Sequence, residues 1–183
     1  KSSLTELRYT IGIMIAVDNQ FDELTIGLAS DHAGVEHKRF VHEALQAAGY
    51  VIDDGGTNDP NVSVDYPLYA HPLAHKILTH QVALGIAFCG TGNGMAIALN
   101  RHPGVRAALC WDVELARLAR LHNNANAIAL PARFISKEKA LEMIHVFLTT
   151  PFEGQRHDER VHLIEINNYN RHKKRDEFSG RVH

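Results

Sequence analysis

The sequence predicts a three-layer α/β fold: a mostly parallel sheet of five strands flanked by helices. Three observations carry that expectation. From Thr25 onward, short apolar runs alternate with longer segments of helical period. One of those runs, QVALGIAFC, is almost unbroken in its apolarity, as a strand covered on both faces must be. The 183 residues, 45% hydrophobic and 22% charged, suit one domain whose core needs no disulfide framework and no structural metal.

The elements follow in order. TIGLAS is the first strand. GVEHKRFVHEALQAAG sets Phe40, Val41, Ala44, Leu45 and Ala48 on one helical face, and Gly49 stops the helix. YVIDDGG is a second strand. YPLYAHPLAHKILTH reads as mostly helical, with Pro67 tolerated in the first turn and Pro72 a candidate kink. QVALGIAFC is the third strand, MAIALNR a short helix, and VRAALC a fourth, buried strand. VELARLARLHN spaces Val113, Leu115, Leu118, Ala119 and His122 along a helix. AIALPA is the last strand, KEKALEMIHVFLTT a helix, and EGQRHDERVHLIEINNYN a single closing helix. Parallel strands joined this way need right-handed crossovers. No repeat or linker divides the chain. It reads as one domain over 25–170, preceded by an extension of open role (1–24) and followed by a polar, basic tail (171–183, RHKKRDEFSGRVH) that is a candidate for disorder.

Bulk composition excludes several classes. A formal net charge of -2 gives no general attraction to nucleic acid or an anionic membrane. Two cysteines, Cys89 and Cys110, are too few for a disulfide scaffold and point to a reducing, cytoplasmic setting. No apolar run reaches the length of a membrane span. The run Ile11–Val17 is interrupted by Gly12 and lacks a cleavage site, so a leader, a cloning remnant or an extra packed strand all stay open. The thirteen histidines fit no ligand spacing, and no metal is expected.

In open parallel sheets, ligands bind outside the carboxyl ends of the strands. The informative polar residues fall there: Asp31 and His32 after the first strand, Cys89 closing the third. In GIAFCGTGNG the glycines Gly90, Gly92 and Gly94 alternate with Thr91 and Asn93. That spacing matches neither the dinucleotide fingerprint nor the P-loop. It leaves backbone N–H groups unobstructed at a helix start, a nest for an anion or a developing oxyanion; the plain alternative is a tight strand-to-helix turn. A thiol beside such a nest can be a general base, a nucleophile or a redox group, and otherwise a small buried hydrophobe. Cys110, in AALCW, is read as the latter. Asp31 doubles as a helix N-cap. His122 and Asn123 in LHNNAN close a helix, where a histidine ordinarily serves the helix dipole. Arg156 and Arg160 stand one turn apart, matched either to an anion such as phosphate or to Asp158 and Glu159 on a solvated face. Arg133 in LPARFIS is a third candidate cation.

The segments GLASDHAG, DYP, FCGTGNGMAIALN, VRAALC, ARLHNNAN and FEGQRHDERV, in this order from about Thr25 to Ile166, resemble the type B ribose-5-phosphate isomerases, a family that includes the galactose-6-phosphate isomerase subunits. The resemblance implies a Rossmann-like sheet, a homodimer or tetramer with sites shared between subunits, and no metal or nucleotide cofactor. It implies aldose–ketose isomerisation of ribose 5-phosphate through a cis-enediolate, with Cys89 as the base. Gly90 to Gly94 would present amides to the enediolate, with Thr91 hydrogen-bonding nearby, and His122 would assist ring opening. Asp31, Tyr66 and Asn123 would bind sugar hydroxyls; His32, Arg133, Arg156 and Arg160 would hold phosphate. His122, Asn123 and Arg133 would come from the neighbouring subunit. Asn93, where the family more often has an apolar residue, and Arg101, where Lys is common, depart from the pattern. The alternatives are a six-carbon phosphosugar isomerase (galactose or allose 6-phosphate) and a non-catalytic sugar-phosphate binder. A thiol-redox role lacks a nearby resolving cysteine, and RHKKR alone is a weak nucleic-acid signal.

Overall fold

The computed structural model describes residues 24–179, with side chains described through Lys173. The extension before residue 24 and the last residues of the tail lie outside the described residues. Five strands, β1 (Thr25–Ser30), β2 (Val51–Asp54), β3 (Leu84–Cys89), β4 (Ala107–Leu109) and β5 (Ala127–Pro131), form one sheet in the order β2-β1-β3-β5-β4. Every pairing is parallel, so the sheet is parallel throughout rather than mostly so. The helices are α1 (Val35–Ala47), α2 (Pro67–Leu78), α3 (Asn93–Leu99), α4 (Val113–Asn123), α5 (Lys137–Thr149), α6 (Arg156–His162) and α7 (Ile166–Ser179).

The three layers follow from a two-residue alternation inside the strands. Ile26, Leu28, Ile86, Phe88, Ile128 and Leu130 point to one face and pack with buried residues of α1, α4 and α5. The other face carries Gly27, Ala29, Gly85, Ala87, Ala127 and Ala129, and it receives α2 and α3. Small residues there set how close α2 lies: a Cβ on Gly27 would stand 2.5 Å from Leu73 Cδ1, and one on Gly85 2.7 Å from Ile77 Cδ1. One face is filled by bulk from the sheet, the other by bulk from the helices.

Four expectations are corrected. VRAALC yields only a three-residue strand, partly exposed, because β4 is the sheet edge and pairs with β5 alone. On α1 the amphipathic pattern misses Lys38, which is 1% exposed. Its ammonium is satisfied by both oxygens of Asp54 at 2.5 and 2.6 Å and by Asn58 Oδ1 at 2.9 Å, the pairing that a buried charge requires. The closing helix is two, α6 and α7. The break is held from outside by the Gly104 amide, which donates to Glu165 Oε1 at 2.7 Å, and between the two helices by Asn168 Nδ2, which donates to the His162 carbonyl at 3.1 Å. The basic tail is helical as far as Ser179, so residue 170 falls inside α7 and not at its end. Arg, Lys and Glu are strong helix formers even where no apolar face marks the helix.

Candidate active site

The first group of side chains sits at the carboxyl edge of the sheet. Asp31 caps the turn after β1, its Oδ1 accepting from the amides of Ala33 at 2.9 Å and Gly34 at 3.2 Å. Burial pushes this carboxyl above its usual range, against the opposing pull of the Ala33 amide, His32, the Gly34 amide and Arg133. His32 Nδ1 accepts from the Val64 amide at 3.2 Å, so the neutral ring carries its proton on Nε2, the nitrogen left for a ligand. The same bond ties the loop before α2 to the site. At the end of that loop, the Tyr66 ring lies over Gly94, where any Cβ would meet it at 2.8 Å.

Cys89 ends β3 and is buried, at 4% exposure. The chain then turns through Gly92, whose φ of +75° is a left-handed conformation that favours glycine. A side chain there would also strike Leu109 and come within 3.2 Å of the Leu130 and Pro131 backbone. Glycine is therefore required at this position for two reasons. The first-turn amides of α3 have no intrahelical partner and no side-chain cap. Arg133 belongs to this group. Its amide donates to the Gly90 carbonyl at 3.1 Å, and a Cβ on Gly90 would meet its guanidinium Nε at 3.2 Å. The resemblance assigns Arg133 to a neighbouring subunit with His122; the structure instead places it beside the Cys89 loop of its own chain. Cys110 is buried, and desolvation pushes its thiol up to about 12, so it stays protonated and inert.

The second group lies at the opposite, amino edge. Arg106, one residue before β4, reaches the end of α4 and donates to the carbonyls of Asn123 at 3.2 Å and Asn124 at 3.0 Å. The end of α4 is thus level with the starts of β4 and β5, and β5 alone is roughly 13 Å long at about 3.3 Å per residue. Because Arg106 serves the Asn123 and Asn124 carbonyls that close α4, His122 is not spent on the helix end. Its Nε2 stands 3.5 Å from Glu153 Oε2, and its ring stacks on His157 at a centroid distance of 4.3 Å and an interplanar angle of 9°. The loop carrying Glu153 is held to α4 by its own amide, which donates to the Leu121 carbonyl at 2.9 Å. Arg156 and Arg160 follow on α6, both exposed, and among the described residues neither pairs with an acid. Asp158 and Glu159 do not neutralise them, which favours the anion reading of this pair over the solvated face.

Two members of this group, Glu153 and His157, were not singled out in the sequence. Both lie inside FEGQRHDER, but only the fold brings them to His122. Ligand atoms of His122, Glu153 and His157 lie within 4.8 Å of one another, a spacing that one metal ion could span. Two of the thirteen histidines that look scattered in sequence, His122 and His157, therefore meet here. At the carboxyl edge, sequence reading also passed over Ser30, whose buried hydroxyl has no partner within the described residues.

Comparison with known proteins places this geometry. The sequence profile of the ribose/galactose isomerase family matches residues 26–164. The ribose-5-phosphate isomerase B of Mycobacterium leprae is 39% identical over 142 residues, covering 77% of this chain and 88% of the relative. The crystal structure of a ribose 5-phosphate isomerase from Thermotoga maritima is 47% identical with a TM-score of 0.76, covering 78% of this chain and 97% of that one. The ribose-5-phosphate isomerase B of Mycoplasma genitalium, crystallised with bound ribulose 5-phosphate, is 36% identical with a TM-score of 0.73, covering 82% and 96%. The matched span contains the strands, the glycine corner and both arginines of α6, and the chain belongs to the ribose/galactose isomerase family.

Proposed function

We propose that this chain is an aldose–ketose isomerase interconverting ribose 5-phosphate and ribulose 5-phosphate through a cis-enediolate, with Cys89 as the base and no cofactor. The observation that carries the chemistry is the corner after β3, where a buried thiol leads directly into a turn of open amides. A hydrogen next to a sugar carbonyl is a weak carbon acid. Its removal needs a base held in contact and a set of donors aimed at the oxygen that becomes negative. The Cys89 thiolate takes the proton from C2 of the open-chain aldose and returns it to C1. The amides of Gly90 to Gly94, with the Thr91 hydroxyl, stabilise the enediolate between the two steps.

Two half-sites at opposite sheet edges cannot meet within one chain. Their separation supports a homodimer, or a tetramer of such dimers, in which the carboxyl-edge group of one copy faces the amino-edge group of the other. His122 then moves the proton that opens the furanose. Asp31, Tyr66 and Asn123 bind hydroxyls. His32 and Arg133 from one copy, with Arg156 and Arg160 from the other, grip the phosphate, whose binding energy orients the reacting carbons. Among the described residues no helix is long and apolar enough to cross a membrane.

The test is kcat/KM on ribose 5-phosphate against galactose 6-phosphate and allose 6-phosphate. Ribose 5-phosphate is expected to win by at least about tenfold, the discrimination that a pocket gives against one extra carbon. A six-carbon substrate turned over faster would overturn the five-carbon reading, and turnover of none of the three would leave a binding protein.

A further inference from the structure

The cluster around His122 contains more than the reaction above uses. His157 is 5% exposed and accepts a hydrogen bond at Nε2 from Arg156 Nε at 3.2 Å. Its neutral ring therefore carries the proton on Nδ1 and presents only a lone pair at Nε2. Glu153 Oε2 is 3.6 Å from that nitrogen, but two acceptors cannot bond to each other. The proton that Glu153 can accept is the one on His122 Nε2, 3.5 Å away, about half an ångström beyond an ordinary hydrogen bond. The same bookkeeping argues against a metal ion. It would need the His157 lone pair that Arg156 already occupies, and it would sit among guanidiniums. Burial, the His122 ring and Arg156 all hold His157 below the usual histidine range, with Glu153 opposing them. No hydrogen bond engages His122 Nδ1 among the described residues.

We propose that Glu153 and His157 are positioning residues for His122: the Glu153 carboxylate faces the Nε2–H as its acceptor and keeps the proton on that nitrogen, His157 braces the ring face, and Nδ1 is left as the atom presented to the sugar. This rests on the reading of His122 as the ring-opening group. In that step the proton on the anomeric oxygen passes to Nδ1 and the O1–H electron pair becomes the second C1–O1 bond. The C1–O4 pair stays on the ring oxygen, which then receives the proton from Nδ1. A ring held in the other tautomer would offer an N–H where this step needs a lone pair. Glu153 prevents that, and its charge faces the imidazolium formed in passing.

Ribulose 5-phosphate supplies the discriminating experiment. Its C5 oxygen carries the phosphate, so it cannot close a furanose and needs no ring opening. Glu153→Gln is expected to lower kcat on ribose 5-phosphate on the order of 10- to 100-fold with KM little changed, a fraction of what general acid–base catalysis supplies. It should leave solvent deuterium exchange at C1 of ribulose 5-phosphate as in the parent protein. Glu153→Asp should recover part of the loss, and long-range proton–nitrogen NMR of the unmodified dimer should show His122 protonated at Nε2. Unchanged turnover in Glu153→Gln, equal loss of turnover and exchange, or His122 protonated at Nδ1 would each overturn the proposal. His122→Gln separates the two levels. If it turns over ribose 5-phosphate at full rate, the reading of His122 itself fails. If it is slow while Glu153→Gln is not, only the positioning role fails.

Discussion

The two edges of the sheet hold chemistry of different kinds. At the carboxyl edge the working parts are mostly backbone: a glycine turn, the open amides of α3, and an aspartate whose carboxylate is partly engaged by amides. At the amino edge they are side chains: stacked imidazoles, a carboxylate beside both rings, and two guanidiniums that pair with no acid among the described residues. Backbone donors are fixed by the fold and suit a charge that appears only in the transition state. Side-chain cations can close on a charge the substrate already carries. On the proposed reading, proton abstraction falls to the carboxyl edge and ring opening to the amino edge, with the phosphate held from both, so neither edge is complete alone.

The strongest way to break that division is complementation. Cys89→Ala and His122→Gln each disable a different edge, and each homodimer is expected to lose turnover on the order of 10²- to 10⁴-fold, the usual contribution of a general acid or base. A mixed dimer pairs one intact carboxyl edge with one intact amino edge. Random co-assembly of the two variants should therefore restore about a quarter of the parent activity, from one sound site in half of the dimers. Recovery no better than the single variants, with mixed dimers verified by mass, would show that both edges act within one chain.

The edges were also unequally legible. The carboxyl edge could be read because its parts are contiguous: Asp31 with His32, and Cys89 through Gly94, are each one stretch of chain, and the strand-end rule puts them together. Residue types at the amino edge were legible as His122, Asn123, Arg156 and Arg160, but not their company. Glu153 and His157 meet His122 only because the Leu121 carbonyl anchors the loop after α5, a contact with no local signature. Lys38 was lost for a related reason, since a charge on an apolar helix face makes sense only once Asp54 and Asn58 are in place. Arg133 was identified as a candidate, but its place beside Gly90 of its own chain was not legible, because the turn after β5 meets the Cys89 loop only in the folded sheet.

A smaller effect sharpens the role of the amino edge. Arg156→Ala and Arg160→Ala should each weaken the phosphate grip, lowering kcat/KM about 10- to 100-fold, the value of one hydrogen bond to a charged group. The loss should appear mainly as a raised KM, because the phosphate is bound alike in ground and transition states. It should shrink when the substrate is a neutral analogue without the phosphate. A loss confined to kcat would move these arginines from binding to chemistry.

The smallest effect distinguishes the edges by the sign of their titration. His157 is held below its ordinary value near 6.5, so the folded protein binds its proton less readily than the unfolded chain. Its contribution to stability is complete above about pH 6.5 and is lost as pH falls toward the lowered folded value. His102, held down by burial and by His71 and His75, and the half-buried His145, held down by desolvation, act in the same direction. Asp31 has the opposite sign. Burial raises its carboxyl, so ionisation above the ordinary carboxylate range costs stability, and that cost is relieved as pH falls. The thermal midpoint should therefore drop between pH 7.5 and 5.5, and His157→Phe, which keeps an aromatic plate against His122, should flatten that drop. Asp31→Asn, which preserves the N-cap, should act with the opposite sign, removing a cost of ionisation that is relieved as pH falls and so flattening nothing in this window. If both variants flattened the same window, the two edges would not titrate as separate groups, and the independence that the structure gives them would be lost.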